Sequence, residues 1–289
     1  GGEGDLAKLY DFSVNEFIWG ADTLLHFTAD KDGTVPLAGN LALSGLNYNA
    51  PHVYPGSISS LSGAKGKIAF LRASMSAPAE VYTGDSEQLL KKPESALKVT
   101  DTNEKLLGEL DLPRPESVRV KVEGAEMQMW VLKPPGFDDK KKWPVAYLVH
   151  GGPQGAWEDA WSYRWNAQVW AAQGYVVVMP NPRGSTGFGF KFMDEITGDW
   201  GGKCYRDLVA GLDYVEKLPY VDKDRIGSAG GSFGGYMQNW FAVNDVAKRF
   251  KCLITHCSVW NFESMWGTTD ELWFDEWEHG GLPWEKPAK

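Results

Sequence analysis

The rhythm of apolar and polar residues changes near residue 112. Before that point, short alternating runs are broken by turn residues. Leu24-Leu25-His26-Phe27-Thr28 leads into Asp30-Lys31-Asp32-Gly33-Thr34, a strand followed by a hairpin turn. Gly66-Lys67-Ile68-Ala69-Phe70-Leu71 leads into Ser74-Met75-Ser76-Ala77-Pro78, and Ala79-Glu80-Val81-Tyr82 resumes the extended pattern. The two segments repeat. Gly20 and Gly63, Ala21 and Ala64, Leu25 and Ile68, and Phe27 and Phe70 each stand 43 residues apart. That period suits the blades of a β-propeller, four-stranded sheets that bury their faces only against one another. Two blades do not close a ring, so residues 1–112 are read as the C-terminal part of a propeller.

Lys98 to Pro115 is a polar connector ending in Leu-Pro-Arg-Pro, which marks a domain boundary. Beyond it, Glu116 to Val122 and Met127 to Lys133 alternate as strands. Trp143 to His150 and Tyr175 to Met179 are continuous apolar runs, as strands buried on both faces require. Ala167 to Ala172 has helical character. Cys204 to Leu218 puts Leu208, Leu212 and Val215 on one helical face. Arg225 to Gly230 predicts a strand, Gly235 to Val243 a helix, and Cys252 to Thr255 a further strand. Strands alternating with helices predict a mostly parallel sheet covered on both faces. Residues 113–289 are therefore read as an α/β domain.

Composition narrows the function. The 289 residues carry a net charge of −9, and their one run of three basic residues is Lys140-Lys141-Lys142. Such a surface repels phosphate, which argues against nucleic acid as a partner. No apolar run reaches the roughly 20 residues of a membrane span, so no membrane partner is expected either. Gly1-Gly2-Glu3-Gly4-Asp5 shows neither the basic nor the apolar region of a leader, and the chain has no Asn-x-Ser/Thr sequon. Cys204, Cys252 and Cys257 are expected as three buried thiols rather than a disulfide or a metal site. No metal or cofactor is expected. Fourteen Trp residues suggest bulky core packing or aromatic-lined pockets.

The chemistry concentrates in Gly230-Gly231-Ser232-Phe233-Gly234, which fits G-x-S-x-G. The pattern is cheap alone, but here a buried strand precedes it and a helix follows, as a nucleophile elbow demands. Ser232 is the candidate nucleophile. Gly230 and Gly234 would let strand and helix pass without side chains colliding. His150-Gly151-Gly152-Pro153 closes a neighbouring strand with a turn of exposed N–H groups, so Gly152 and Phe233 are the candidate oxyanion donors through their backbone. His150 precedes the nucleophile and abuts the turn, and it reads as a structural histidine bonded to the loop. Asn181 and Arg183, after the next strand, read as polar braces of the site rim. Tyr236, Trp260, Phe262 and Trp266 are candidates for an apolar substrate pocket, with core packing as the other reading of the same residues.

These stretches together resemble the prolyl oligopeptidase family of serine peptidases, and within it the fungal dipeptidyl peptidase V type. The likeness is carried by "SMSAPAEVYTGD", "WPVAYLVHGGPQGAWEDAWSYRWNAQ", "NPRGSTGFG", "GDWGGKCYRDL" and "GGSFGGYM". It implies a β-propeller capping an α/β-hydrolase domain, with Ser232 as nucleophile and Gly152 and Phe233 as donors. It also implies peptide substrates cleaved by release of N-terminal dipeptides, and secretion, with a homo-oligomer open to the full-length protein. The triad of such hydrolases runs Ser, Asp, His, with the Asp about eighty residues past the Ser and the His about thirty further. Those positions fall after Lys289. The chain is accordingly read as an internal fragment whose hydrolase domain is incomplete at its C-terminus, with little turnover by itself. His256 and His279 are the histidines present after Ser232, and neither fits the base by position. An acylaminoacyl peptidase or esterase, or an inactive remnant acting as a binding protein, would share the same motifs.

Overall fold

The computed structural model describes residues 11–21, 24–41 and 56–285. Gly1–Asp5, where the sequence offers no leader pattern, lies outside the described residues, as does Lys289. The side chains of Gly20 and Ala21 in the sequence repeat are likewise outside them. The chain forms two compact units. One comprises residues 1–115 with 158–168 and 187–189; the other holds 116–157, 169–186 and 190–289.

In the first unit, β1 (Val14–Ala21), β2 (Leu24–Ala29) and β3 (Leu37–Leu41) make an antiparallel sheet. A second antiparallel sheet orders β4 (Ser57–Ala64), β5 (Lys67–Ser74), β6 (Ala77–Asp85) and β7 (Leu97–Lys98). The first two strands of each sheet start 43 residues apart, so the sequence repeat is a repeat of hairpins. Phe27 and Phe70 are both buried at matched places. Asp32 and Gly33 have φ of 52° and 73° between mutual Lys31 and Thr34 backbone bonds, the two positive angles of a type I′ turn. Helices α1 (Ser86–Lys91) and α2 (Glu104–Leu107) complete this unit. Asp85 caps α1 through bonds to the N–H groups of Glu87 and Gln88. The expected connector is tied down, since Pro113 O accepts from Ser76 Oγ at 2.8 Å and from Gln168 Nε2 at 2.8 Å.

The second unit is built on a six-stranded mixed sheet. Its strands are β8 (Glu116–Val122), β9 (Ala125–Leu132), β10 (Trp143–Val149), β11 (Val176–Asn181), β12 (Val221–Gly231) and β13 (Cys252–His256), in the order β13-β12-β10-β11-β9-β8. The four strands from β13 to β11 run parallel, and β9 and β8 are antiparallel. Helix α3 (Ala167–Ala172) starts in the first unit and ends in this one, whose other helices are α4 (Phe190–Asp194), α5 (Lys203–Val215), α6 (Phe233–Ala242), α7 (Phe262–Thr268) and α8 (Leu272–His279). Val145, Tyr147 and Val149 of β10 pack in one core with Leu208, Leu212 and Val215 of α5 and Phe233, Met237 and Phe241 of α6. The intervening Ala146 and Leu148 are also buried, on the opposite face. Burial on both sides explains the unbroken apolar run.

Cys204 is buried, but Cys252 and Cys257 are exposed, which corrects the expectation of three buried thiols. The reason is position: β13 is the edge strand and leaves four of its five residues exposed.

A buried ion pair anchors the loop after β11. Arg183 Nε and Nη2 donate to Asp207 on α5 at 2.8 and 2.5 Å, and Arg183 N–H adds a bond of 3.0 Å. Both side chains are almost fully buried. Removing one partner of such a pair strands a buried charge. Asp207→Ala is therefore expected to lower stability by about 3–5 kcal/mol in urea unfolding; a loss below about 1 kcal/mol would contradict this reading.

The first unit carries a pH dependence of its own. Burial, and then the charge of Asp30, push the Glu158 carboxyl up from 4.5 to about 7. A raised acid favours the folded state while protonated, so this contribution is whole below pH 4.5 and is lost as pH rises through about 7. Melting temperatures should therefore fall less between pH 5 and pH 8 in Glu158→Gln than in the parent protein.

Candidate active site

Ser232 sits where β12 ends and α6 begins, with φ 56° and ψ −120°. A non-glycine residue held there stores about 1–3 kcal/mol and persists only where its surroundings fix it. Two backbone bonds do so: Ser232 N–H donates to His256 O and Tyr236 N–H donates to Ser232 O, each at 2.9 Å. The flanking glycines are sterically required. A Cβ at Gly230 would stand 2.4 Å from Gly234 O, and one at Gly234 only 2.2 Å from Val149 O. The elbow thus presses against the end of β10, where a Cβ at Gly151 would come 3.4 Å from Ser232 Cβ.

Phe233 is the first residue of α6, so its N–H has no partner within the helix, and the positive end of the helix dipole lies there. Gly152, with φ 122°, lies in the turn after β10. Gly152, Ser232 and Phe233 line a single cavity of about 620 Å³ in the second unit. Trp200, Trp273, Phe274 and Trp277 supply aromatic wall, and Asp194, Glu271 and Glu278 supply carboxylates. Glu278 is 1% exposed; its Oε1 accepts from Gln154 Nε2 at 2.7 Å and its Oε2 from Trp200 Nε1 at 2.8 Å. One carboxylate thus links α8, the turn after β10 and the Trp200 segment.

The four aromatics expected to form the pocket are placed otherwise. Tyr236, Trp260, Phe262 and Trp266 are not among the residues lining this cavity. Tyr236 and Phe262 pack behind it, with ring centroids 5.4 and 5.7 Å from Trp200, and burial pushes the Tyr236 hydroxyl up to about 12. Trp266 packs edge-on against Trp284, and Trp260 is 75% exposed. Sequence reading missed the aromatics of α8, although Trp273, Phe274 and Trp277 carry the i, i+1, i+4 spacing of one helix side. It also missed Trp200, which stands in a stretch with no periodicity.

His150 is buried, and burial draws its pKa down to about 4. Its ring touches Gly151 O and Ser185 Oγ. Asn181 and Arg183 do act as braces. Asn181 Oδ1 accepts from Trp157 N–H at 2.7 Å while its amide donates to Gln128 at 2.6 Å. Of the downstream histidines, His256 is exposed beside Cys257. His279 Nε2 lies 3.3 Å from Asp275, one turn earlier in α8.

Residues 161–289 match the model of the prolyl oligopeptidase family. Over that stretch the chain belongs to this family. A probable dipeptidyl-peptidase 5 of Aspergillus clavatus is 44% identical over 206 residues, 71% of this chain and 28% of the relative. A dipeptidyl-peptidase 5 of Trichophyton equinum is 50% identical over 167 residues, 57% of this chain and 23% of the relative. The matched stretch thus spans about a quarter of these curated relatives. Among solved structures, Pyrococcus horikoshii acylaminoacyl peptidase superposes with a TM-score of 0.82 at 27% identity, covering 97% of this chain and 43% of that one.

The elbow's close packing is open to test. Gly234→Ala would force a methyl group into Val149 O, so it is expected to cost about 1–3 kcal/mol or more, read as a fall in melting temperature. Gly267→Ala, on α7 where no atom stands within 4 Å of the added methyl, is the control and should hold stability or raise it by up to about 1 kcal/mol.

Proposed function

We propose that Ser232 is the nucleophile of a serine peptidase that, in the whole protein, releases dipeptides from the N-termini of peptides. The observation that carries the reading is the positive φ of Ser232 at a strand-to-helix turn packed against the glycine-rich end of β10. Ser232 Oγ bonds to the scissile carbonyl carbon while a histidine base takes its proton. The oxyanion so formed accepts hydrogen bonds from Phe233 N–H and Gly152 N–H. The C–N bond then breaks and the leaving amine carries off the proton. Water, deprotonated by the same base, cleaves the acyl-enzyme and restores the serine. The base and its aspartate are assigned to positions beyond Lys289, and the two antiparallel sheets of the first unit are read as propeller blades.

Two features favour a substrate with a free amino terminus. The curated relatives named dipeptidyl-peptidase 5 are 44% and 50% identical, and three carboxylates line the cavity onto which Ser232 opens. An ammonium group suits such a wall. The reading carries peptide substrates and secretion with it. Acylaminoacyl peptidase is the second reading, favoured by the TM-score of 0.82 to a peptidase of that name.

The full-length protein decides between them. A dipeptide arylamide with a free amino group is expected to be hydrolysed faster than its N-acetylated counterpart, and the reverse order would select the second reading. Ser232→Ala is expected to lower kcat at least about a thousand-fold while the melting temperature stays put. Peptidase activity surviving in that variant would sink the nucleophile assignment.

A further inference from the structure

We propose that His150 is a positioning residue of the oxyanion site, fixing the direction in which Gly152 N–H points. The inference rests on the reading of Ser232 as nucleophile and Gly152 as donor, and deepens it.

Gly151 C=O and Gly152 N–H belong to one planar peptide unit, and in a trans unit the two groups point to opposite sides. His150 Nδ1 lies 2.7 Å from Gly151 O. A carbonyl accepts only, so the ring must donate here. Holding the carbonyl on the histidine side leaves the N–H on the far side of the plane. Gly152 and Ser232 line the same cavity, and the added Cβ at Gly151 would lie 3.9 Å from Ser232 Oγ.

The peptide needs such a hold because it stands between two glycines. Neither neighbour has a side chain to limit its rotation, and Gly152 occupies a φ of 122° that glycine enters freely. The ring doing the holding is itself fixed. Its Nε2 lies 2.9 Å from Ser185 Oγ, and that hydroxyl lies 2.6 Å from Pro182 O in the loop braced by Arg183. Trp157 packs edge-on against the ring with centroids 6.3 Å apart. Nδ1 carries a proton for Gly151 O, and Nε2 lies against Ser185 Oγ, whose own proton is donated to Pro182 O. Both ring nitrogens are thereby engaged with partners other than Ser232, which leaves neither for a base.

Three variants of the full-length protein test the proposal. His150→Asn keeps an N–H near the Nδ1 position, His150→Gln keeps a polar group near Nε2 only, and Ser185→Ala frees the ring. Each is assayed for kcat, KM, melting temperature and the rate at which a fluorophosphonate probe modifies Ser232. His150→Gln is expected to lose about 10- to 100-fold in kcat with KM within about twofold, and labelling should slow in parallel. His150→Asn should recover most of that loss, and Ser185→Ala should fall between. Wild-type kcat in a folded His150→Gln would overturn the proposal, as would equal losses in the Asn and Gln variants. If His150→Gln does not fold, Ser185→Ala decides, and wild-type kcat and labelling in it would overturn the proposal. Failure of the parent protein to label at Ser232 would instead remove the nucleophile reading, and this inference with it.

Discussion

The turn from β12 into α6 has no room for a Cβ at Gly230 or Gly234, and most of the site's geometry follows from that shortage. Strand and helix approach so closely that the added atoms would fall 2.4 and 2.2 Å from backbone oxygens. Closeness is what lets a single residue between them adopt φ 56° and stand clear of both elements. The same compression brings the end of β10 against the serine. Ser232 and the turn that holds Gly152 are therefore set by one packing constraint, and a methyl group in the wrong place would disturb both together.

Buried polar groups hold the loops around this turn. Arg183 and Asp207 tie the loop after β11 to α5, and Asn181 ties β11 to Trp157 and to Gln128 of β9. Ser185, in the Arg183 loop, meets His150. Glu278 reaches the other side, through Gln154 and Trp200. None of these bonds contributes much net energy while intact, because each replaces a bond to water. Their weight lies in the cost of losing one partner, which makes the arrangement of loops nearly all-or-none.

Much of this was legible along the chain because the signals were local. β10 and β11 announce themselves as apolar runs since both their faces are covered, and α5 does so through Leu208, Leu212 and Val215. The elbow is legible because only Gly-x-Ser-x-Gly meets its steric demands at that turn. What escaped reading depends on distance in sequence. Residues 158–168 group with the first unit because Asp159 bonds to Gly33 O and Met75 N–H, and Gln168 to Pro113 O. Local periodicity carries no trace of such bonds. The aromatic residues failed for a related reason. Apolarity marks Tyr236 and Phe262 for burial but does not say which ring of a packed group faces the cavity, and here Trp200 does.

Charge in the second unit is sorted in a way that bears on the chemistry. The wall of the cavity holds three carboxylates, whereas the residue behind the turn after β10 is a neutral, buried histidine. The directional bond to Gly151 O is the contribution we propose for that histidine. Asp194, Glu271 and Glu278 share that wall with Trp200, whose ring meets Phe233 edge-on with centroids 5.0 Å apart. Under the proposed function, such a wall would suit a substrate that brings its own positive charge over one whose amino end is capped.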